Sequence, residues 1–231
     1  MSLNRIKVWD LPTRLFHWLL VILVAAAIIT GEVGGGAIDW HGRIGLALVG
    51  LIVFRIIWGV VGSSTARFAS FFPSPASLRA YLKGEWHGVG HNPLGAFSVF
   101  GLLALISLQL ATGLFSNDDI AFNGPLSSLI AKSLSDSLSG VHEFTVGILI
   151  SLIVLHLAAI AFYTHVKKDN LITPMLTGWK EVEKGQAQST TGGSLIALAV
   201  ALSIAAAAVY GASGAWIAQP PPAETPPAAA W

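Results

Sequence analysis

The chain has 231 residues, of which 54% are hydrophobic and only 11% charged, with a net charge of +1 and a mean hydropathy of +0.69. Soluble domains carry about 25% charged residues, so the composition excludes an ordinary soluble protein and indicates an integral membrane protein. There is no cysteine, which excludes c-type haem, iron–sulfur clusters, thiolate zinc sites and disulfides. Any metal centre must therefore use nitrogen or oxygen ligands.

Five apolar runs predict five transmembrane helices. The runs cover residues 13–31, 41–62, 94–114, 141–164 and 193–217. The first run lacks a small-x-small cleavage site, so we expect a retained helix rather than a signal peptide. The polar segment between the second and third runs is expected to form a short amphipathic or irregular stretch at the membrane interface.

These runs divide the chain into four parts. We expect a four-helix transmembrane domain in residues 1–180, a cytoplasmic linker in 181–192, a fifth transmembrane helix in 193–217 and a Pro-rich tail in 218–231. The composition of the tail predicts an extended, polyproline-like segment. The predicted fold class is therefore an all-α membrane protein.

Basic residues are concentrated on one side of the predicted spans. They precede the first span, lie between the second and third, and follow the fourth: Arg5, Lys7, Arg14, Arg67, Arg79, Lys83, Lys167, Lys168, Lys180 and Lys184. The opposite side has only Arg43 and Lys132. The positive-inside rule then predicts a cytoplasmic N-terminus and a C-terminus on the outer side.

Two histidines, His142 and His156, lie fourteen residues apart on the fourth predicted helix. Fourteen residues make just under four helical turns, so both imidazoles share one face, about 21 Å apart along the axis. Ionisable side chains within a bilayer are costly and usually face the interior of the bundle. Either histidine alone could be an ordinary interior residue, but the pair indicates one ligand in each leaflet.

The predicted topology sorts four histidines into two pairs. His17 and His156 fall in the cytoplasmic half of the membrane, while His41 and His142 fall in the outer half. Two imidazoles from facing helices commonly hold haem iron within a helix bundle. Zinc is the rival metal, although a structural zinc site normally takes four ligands, and only the outer pair has a nearby carboxylate, Glu143.

Arg55 lies fourteen residues after His41, on the same predicted helix face but near the cytoplasmic leaflet. A buried guanidinium requires an anion, and its own helix supplies none. A propionate of the cytoplasmic-side haem is the predicted partner. Gly45, Gly50 and Gly147 would let a flat ring approach the backbone, although close helix packing explains these glycines at least as well.

Several stretches resemble the bacterial cytochrome b561 and hydrogenase-type cytochrome b family. They are VWDLPTRLFHW, HGRIGLALVGLIVFRIIWG, GHNPLG, and VHEF followed by LHL, and together they lie within about residues 8–180. The resemblance implies a four-helix bundle with two non-covalent b haems. His17 and His156 would bind the cytoplasmic-side iron, and His41 and His142 the outer-side iron. The fifth span and its tail depart from this pattern.

The resemblance also implies a quinone site near the start of the third helix. The candidates are His91, Asn92 and Gly95, although the HNPLG segment also reads as a plain helix start with proline in its first turn. His87 and His91 have metal-binding spacing on a helix, but the intervening Gly88 and Gly90 favour an ordinary loop.

The predicted function is electron transfer between the quinone pool and a redox partner protein or small donor. One alternative is a haem-containing anchor subunit of a larger oxidoreductase such as a hydrogenase. Another is a proton-coupled transporter with a histidine relay, although buried carboxylates and repeat halves are missing. Whether the chain is itself a quinone oxidoreductase stays open.

The expected environment is a bacterial inner membrane, with the lipid bilayer, a quinone and a redox protein as partners. A homodimer is one candidate assembly. The basic residues cluster at span ends, where membrane orientation accounts for them, so nothing in the sequence predicts nucleic-acid binding.

Overall fold

The computed structural model describes residues 3–86, 88, 90–120, 122–183 and 189–218. His87, residues 184–188 of the predicted linker and residues 219–231 of the predicted tail lie outside this part. In chain order, the elements are β1 (Leu3–Lys7), α1 (Leu11–Val33), α2 (Ile38–Val61), α3 (Phe68–Phe71), α4 (Pro75–Leu82), α5 (Pro93–Gly113), α6 (Lys132–His165), α7 (Ile172–Thr177), β2 (Trp179–Glu183) and α8 (Leu195–Ala212).

Five helices, α1, α2, α5, α6 and α8, are long and apolar enough to cross a membrane, at the five predicted places. Capping residues explain where some of them begin. Asp10 caps α1, because its side chain accepts a hydrogen bond from the Thr13 amide at 2.8 Å. The short helices α3 and α4 occupy the segment between the second and third spans, where an amphipathic or irregular stretch is predicted.

The helix α6 begins nine residues before the predicted start at residue 141. The added stretch contains serine, aspartate and glycine, which are weak helix formers. The loop between α5 and α6 stabilises it through hydrogen bonds. Ser135 donates to the Phe115 carbonyl at 2.6 Å, and Ser139 exchanges two bonds of 2.9 Å with the backbone of Asn117. Tertiary contacts therefore override the local preference.

The fifth transmembrane helix, α8, packs along α2. Ala201 and Ala205 are buried in this contact. A Cβ on Gly50 would lie only 2.9 Å from Cγ2 of Val209. Gly50 therefore allows α2 to pack closely against α8, as the packing interpretation of this glycine predicts.

The chain also forms a two-stranded antiparallel sheet, which the all-α prediction missed. Strand β1 pairs with β2 in a register from Leu3 opposite Glu183 to Lys7 opposite Trp179. The Thr190 amide extends the contact by donating to the Lys7 carbonyl at 2.7 Å. A small apolar cluster, formed by Ile6, Val8, Trp9, Val182 and Met175, lies against this sheet. The sheet ties the N-terminus to the start of the predicted linker, so residues 181–183 are structured.

The long helices associate mainly in two groups: α1, α2 and α8 in one, and α5 with α6 in the other. The shared core is densest around Trp58, Ile52 and Leu48 of α2. His17 and His41 lie on the first group, and His142 and His156 on the second. The four histidines therefore come from both sides of the space between the two groups.

Candidate functional site

The imidazoles of His41 and His142, the predicted outer pair, face each other across the bundle. Their ring centroids are 6.0 Å apart, and the ring planes are nearly perpendicular at 87°. A metal ion bound by two imidazoles at about 2 Å from each nitrogen implies ring centroids roughly 6 Å apart. The observed separation therefore suits one metal ion between two histidines.

Hydrogen bonds select the tautomer of the neutral imidazole at both outer histidines. Nδ1 of His41 lies 2.9 Å from the Ala27 carbonyl oxygen, and Nδ1 of His142 lies 2.9 Å from the Gln109 carbonyl oxygen. A carbonyl oxygen only accepts, so each Nδ1 must carry the proton and donate it. Each Nε2 then keeps a free lone pair, which is the form that binds a metal.

Both outer imidazoles line a cavity of about 560 Å³ between the two helix groups. This volume is within the range of about 300–1,000 Å³ that is usual for cofactor pockets. Gly45 and Leu48 of α2 and Leu149 of α6 supply part of its wall, and Glu32 and Glu143 also line it. The space beside Gly45 is open, with no atom within 4 Å of an added Cβ. The outer site therefore fits a haem group by donor set, ring spacing and cavity size.

The predicted cytoplasmic-side pair, His17 and His156, is arranged differently. The two side chains interact electrostatically, but no ring contact like that of the outer pair joins them within the described residues. Nδ1 of His156 lies 3.2 Å from the hydroxyl of Ser98, and Nδ1 of His17 is buried without a hydrogen-bond partner among the described residues. A buried imidazole without a partner is costly, which fits a side chain that binds a group through its ring.

Arg55 is buried, with only 3% of its surface exposed. Its guanidinium donates to the Ala66 carbonyl at 3.2 Å and lies 4.5 Å from the Phe68 ring centroid. Asp10 also interacts with it electrostatically. However, the Asp10 carboxylate already accepts hydrogen bonds from the Thr13 amide and, at 2.9 Å, from Nε1 of Trp58. Asp10 is a buried anion that sequence reasoning missed, because it precedes the first helix.

His91 lies in the loop before α5, between the rings of Trp9 and Phe71, at centroid distances of 4.6 and 4.3 Å. Its Nδ1 is buried without a hydrogen-bond partner among the described residues. The ring lines a second cavity of about 330 Å³, together with aromatic and hydroxyl side chains from α3, α4 and the adjoining loops. His91 is therefore the one quinone candidate that borders a cavity described here.

The other two quinone candidates have structural roles at the start of α5. Asn92 caps the helix, because its Oδ1 accepts a hydrogen bond from the Gly95 amide at 2.7 Å. Pro93 follows in the first turn. The geometry of this segment thus matches an ordinary helix start, and neither residue is part of the lining of the cavity beside His91.

No group of three His, Asp or Glu side chains in the described ranges is arranged to hold a metal ion. Glu143 lines the outer cavity but does not complete such a group with the histidines. The donor set that the structure brings together is therefore one pair of imidazoles, His41 and His142, which suits an iron already held by four ring nitrogens better than a zinc ion that needs four protein ligands.

A family model described as prokaryotic cytochrome b561 matches residues 8–178. The chain is 24% identical over 137 residues to the "Probable Ni/Fe-hydrogenase 1 B-type cytochrome subunit" of Escherichia coli (strain K12), a match that covers 46% of this chain and 57% of that protein. It is 23% identical over 218 residues to the "Probable Ni/Fe-hydrogenase B-type cytochrome subunit" of Azotobacter chroococcum mcd 1, a match that covers 76% of this chain and 88% of that protein. No solved structure matches the chain.

The matched range contains α1, α2, α5, α6 and all four paired histidines, and it covers well over half of the chain. Its relatives are b-type cytochrome subunits, which fits the haem-sized cavity between His41 and His142. The chain therefore belongs to the prokaryotic cytochrome b561 family, as a b-type cytochrome that spans a bacterial membrane several times.

Proposed function

We propose that this cytochrome holds two b haems and transfers electrons between the quinone pool and a redox partner at the outer side of the membrane. The observation that carries the proposal is the outer histidine pair, with its 6.0 Å ring separation and its haem-sized cavity. When bound, a haem supplies a one-electron centre whose potential depends on axial ligands, hydrogen bonds and burial.

The residues have distinct roles in this proposal. His41 and His142 bind the outer iron, and His17 and His156 bind the cytoplasmic-side iron. Arg55 provides a buried positive charge near the cytoplasmic-side pair, suited to a propionate. Its present contacts support this role, because a carbonyl, aromatic rings and an already hydrogen-bonded carboxylate leave its charge only partly compensated.

The spacing on α6 makes electron transfer between the two sites plausible on physical grounds. His142 and His156 are fourteen residues apart on one continuous helix, which separates their backbones by about 21 Å. The edges of two macrocycles at these positions would be closer than the irons. A single rigid helix that carries one ligand for each site also fixes the distance between them.

The 330 Å³ cavity beside His91 is the proposed quinone site. It borders the cytoplasmic end of the bundle, and it combines the rings of Phe71, Phe72 and Trp86 with hydroxyl groups and one imidazole. A quinone head group is flat and apolar with two carbonyl acceptors, so aromatic walls and a few polar donors are suitable. Asn92 and Gly95 contribute by fixing the start of α5 next to His91.

The partner at the outer side is proposed from the names of the relatives, which are subunits of Ni/Fe hydrogenases. An anchor subunit for such an enzyme is the second candidate function, and it is compatible with the same haem sites. A histidine relay in a proton-coupled transporter fits less well. A relay histidine must exchange protons at both nitrogens. In both His41 and His142, however, Nδ1 donates a hydrogen bond to a helix carbonyl.

The test is a haem count on purified protein, by the pyridine haemochrome assay and the dithionite-reduced minus oxidised spectrum. We expect two b haems per chain. His156→Ala should retain the outer haem and lose the other, whereas the control His165→Ala, which changes an exposed histidine on the same helix, should retain both. Colourless wild-type protein, or equal loss of both haems in a His156→Ala protein that still inserts, would contradict the proposal.

A further inference from the structure

The two outer histidines share a local arrangement that involves glycine. His41 on α2 donates to the Ala27 carbonyl of α1, and His142 on α6 donates to the Gln109 carbonyl of α5. In each case the residue four positions after the acceptor is glycine, Gly31 on α1 and Gly113 on α5. The same motif is therefore built twice, on two different helix pairs, around the two imidazoles of one site.

The glycines leave the space that these hydrogen bonds need. A Cβ on Gly31 would lie 3.2 Å from Nδ1 and 3.3 Å from Cε1 of His41. A Cβ on Gly113 would lie 2.9 Å from Cε1 and 3.2 Å from Nδ1 of His142. In an α-helix, the carbonyl of residue i is next to residue i+4, so any side chain at i+4 obstructs a ring that approaches that carbonyl. A Cβ at either glycine would be closer to the ring than ordinary van der Waals contact, so the imidazole would have to shift.

We propose that Gly31 and Gly113 are positioning residues of the outer haem site. They set the direction of each imidazole and its Nδ1 hydrogen bond, and thereby the nearly perpendicular ring planes. This inference rests on the proposed ligation of a haem by His41 and His142. It goes beyond that proposal because it assigns the ring orientation to two residues that are not ligands.

The arrangement has a chemical consequence for the ligands. A hydrogen bond from Nδ1 to a strong acceptor makes the imidazole a better electron donor through Nε2. A better donor favours ferric over ferrous iron and so lowers the midpoint potential. Around His142 the bond is reinforced, because the Thr112 hydroxyl also lies 3.2 Å from Nδ1. Displacing the ring from the carbonyl should raise the potential of this haem.

The cytoplasmic pair does not use this motif. His156 lies next to the Ser98 hydroxyl instead of a backbone carbonyl, and Nδ1 of His17 has no hydrogen-bond partner among the described residues. A change at Gly31 or Gly113 should therefore affect one haem of the two. This asymmetry separates a positioning role from general destabilisation of the bundle, which would affect both.

The experiment compares Gly113→Ala and Gly31→Ala with Gly101→Ala in detergent-purified, haem-loaded protein. Gly101 lies on the same helix as Gly113, and an added Cβ there would meet no atom within 4 Å. The readouts are haem content, potentiometric titration of each haem, and electron paramagnetic resonance of the ferric low-spin signals, whose largest g value depends on the angle between the imidazole planes. Gly31→Ala is the milder variant, because its closest contact is 3.2 Å.

We expect Gly113→Ala to raise the midpoint potential of one haem, and to shift one of the two low-spin signals, while the other haem is unchanged. Selective loss of one haem would also support the inference if Gly101→Ala retains both. If Gly113→Ala fails to insert or loses both haems, Gly31→Ala decides by the same criteria. Potentials and signals equal to those of Gly101→Ala would overturn the inference. Wild-type protein with fewer than two haems would instead overturn the proposed function.

Discussion

At the scale of single residues, His91 is the side chain that we propose to contact a quinone. Burial is the largest effect on its side chain, followed by the positive charge of Arg55, and the pKa of His91 is lowered to about 3. The imidazole is therefore neutral at physiological pH. A neutral imidazole has one N–H donor and one acceptor nitrogen, so it can donate a hydrogen bond to a quinone carbonyl.

We predict that His91→Phe slows the reduction of the haems by quinol. The variant keeps a flat ring between Trp9 and Phe71 but removes a hydrogen bond worth about 1–1.5 kcal/mol, or roughly tenfold in rate. Stopped-flow reduction by a ubiquinol analogue and by a menaquinol analogue measures the effect, and reduction by dithionite should be unchanged. The control is His165→Phe at the exposed end of α6. Equal rates for both variants with both quinols would reject this role.

The histidine pairs could be predicted from sequence because buried ionisable groups are costly and helix rotation is regular, and their binding of haem stays a prediction. The hydrogen-bond acceptors of His41 and His142 could not be predicted. Ala27 and Gln109 act through main-chain carbonyls, which every residue has, so no side-chain pattern identifies them. Asp10 was missed for a related reason: it reads as a helix cap, and only the fold reveals that it also accepts from Trp58, which is distant in sequence.

At the scale of elements, α8 is an integral part of the bundle. Its alanines allow close approach to α2. Gly193, just before the helix, places its backbone against the ring of Trp58, so a Cβ added at Gly193 would lie 3.0 Å from that ring. Trp58 belongs to the same core as Phe54 and Ile52. The helix that departs from the four-span pattern therefore supports the helix that carries His41 and Arg55.

We predict that Ala201→Leu destabilises the protein by about 1–3 kcal/mol, because a larger side chain at a fully buried position forces α8 away from α2. Thermal unfolding in detergent, followed by loss of the haem spectrum, measures the change. Ala206→Leu makes the same substitution on an exposed position of α8 and should leave the melting temperature nearly unchanged. Equal melting temperatures of the two variants would mean that α8 does not support the bundle.

The positions of all five spans could be predicted because each is a long apolar run. The early start of α6 could not be predicted. Its first turns depend on hydrogen bonds from Ser135 and Ser139 to the backbone of residues 115 and 117, and these bonds form only when the chain folds. The sheet was missed because LNRIK and WKEVE are short and charged, and the two strands that pair are separated along the chain by four long helices.

At the scale of the whole molecule, the sheet constrains the topology. Because β1 and β2 pair directly, residues 3–7 and 179–183 lie on the same side of the membrane. An even number of spans must separate them, which agrees with the four helices α1, α2, α5 and α6. With α8 as a fifth span, the two ends of the chain should lie on opposite sides. The charge distribution then predicts which side is cytoplasmic.

We predict that alkaline phosphatase fused after Trp231 is active, because the tail should be on the outer side. A fusion after Asn170, between α6 and α8, should be inactive, since that segment follows four spans. A green fluorescent protein fused at the same two points should give the opposite result. Active phosphatase at both points, or only after Asn170, would contradict the predicted orientation.

The pairing of β1 with β2 also determines the order of events during biogenesis. Strand β1 leaves the ribosome first, but its partner is synthesised only after four spans have entered the membrane. A nascent chain that stops before Trp179 therefore has an unattached N-terminus. The two strands therefore pair as a late step, after the helices that carry the four histidines have been synthesised.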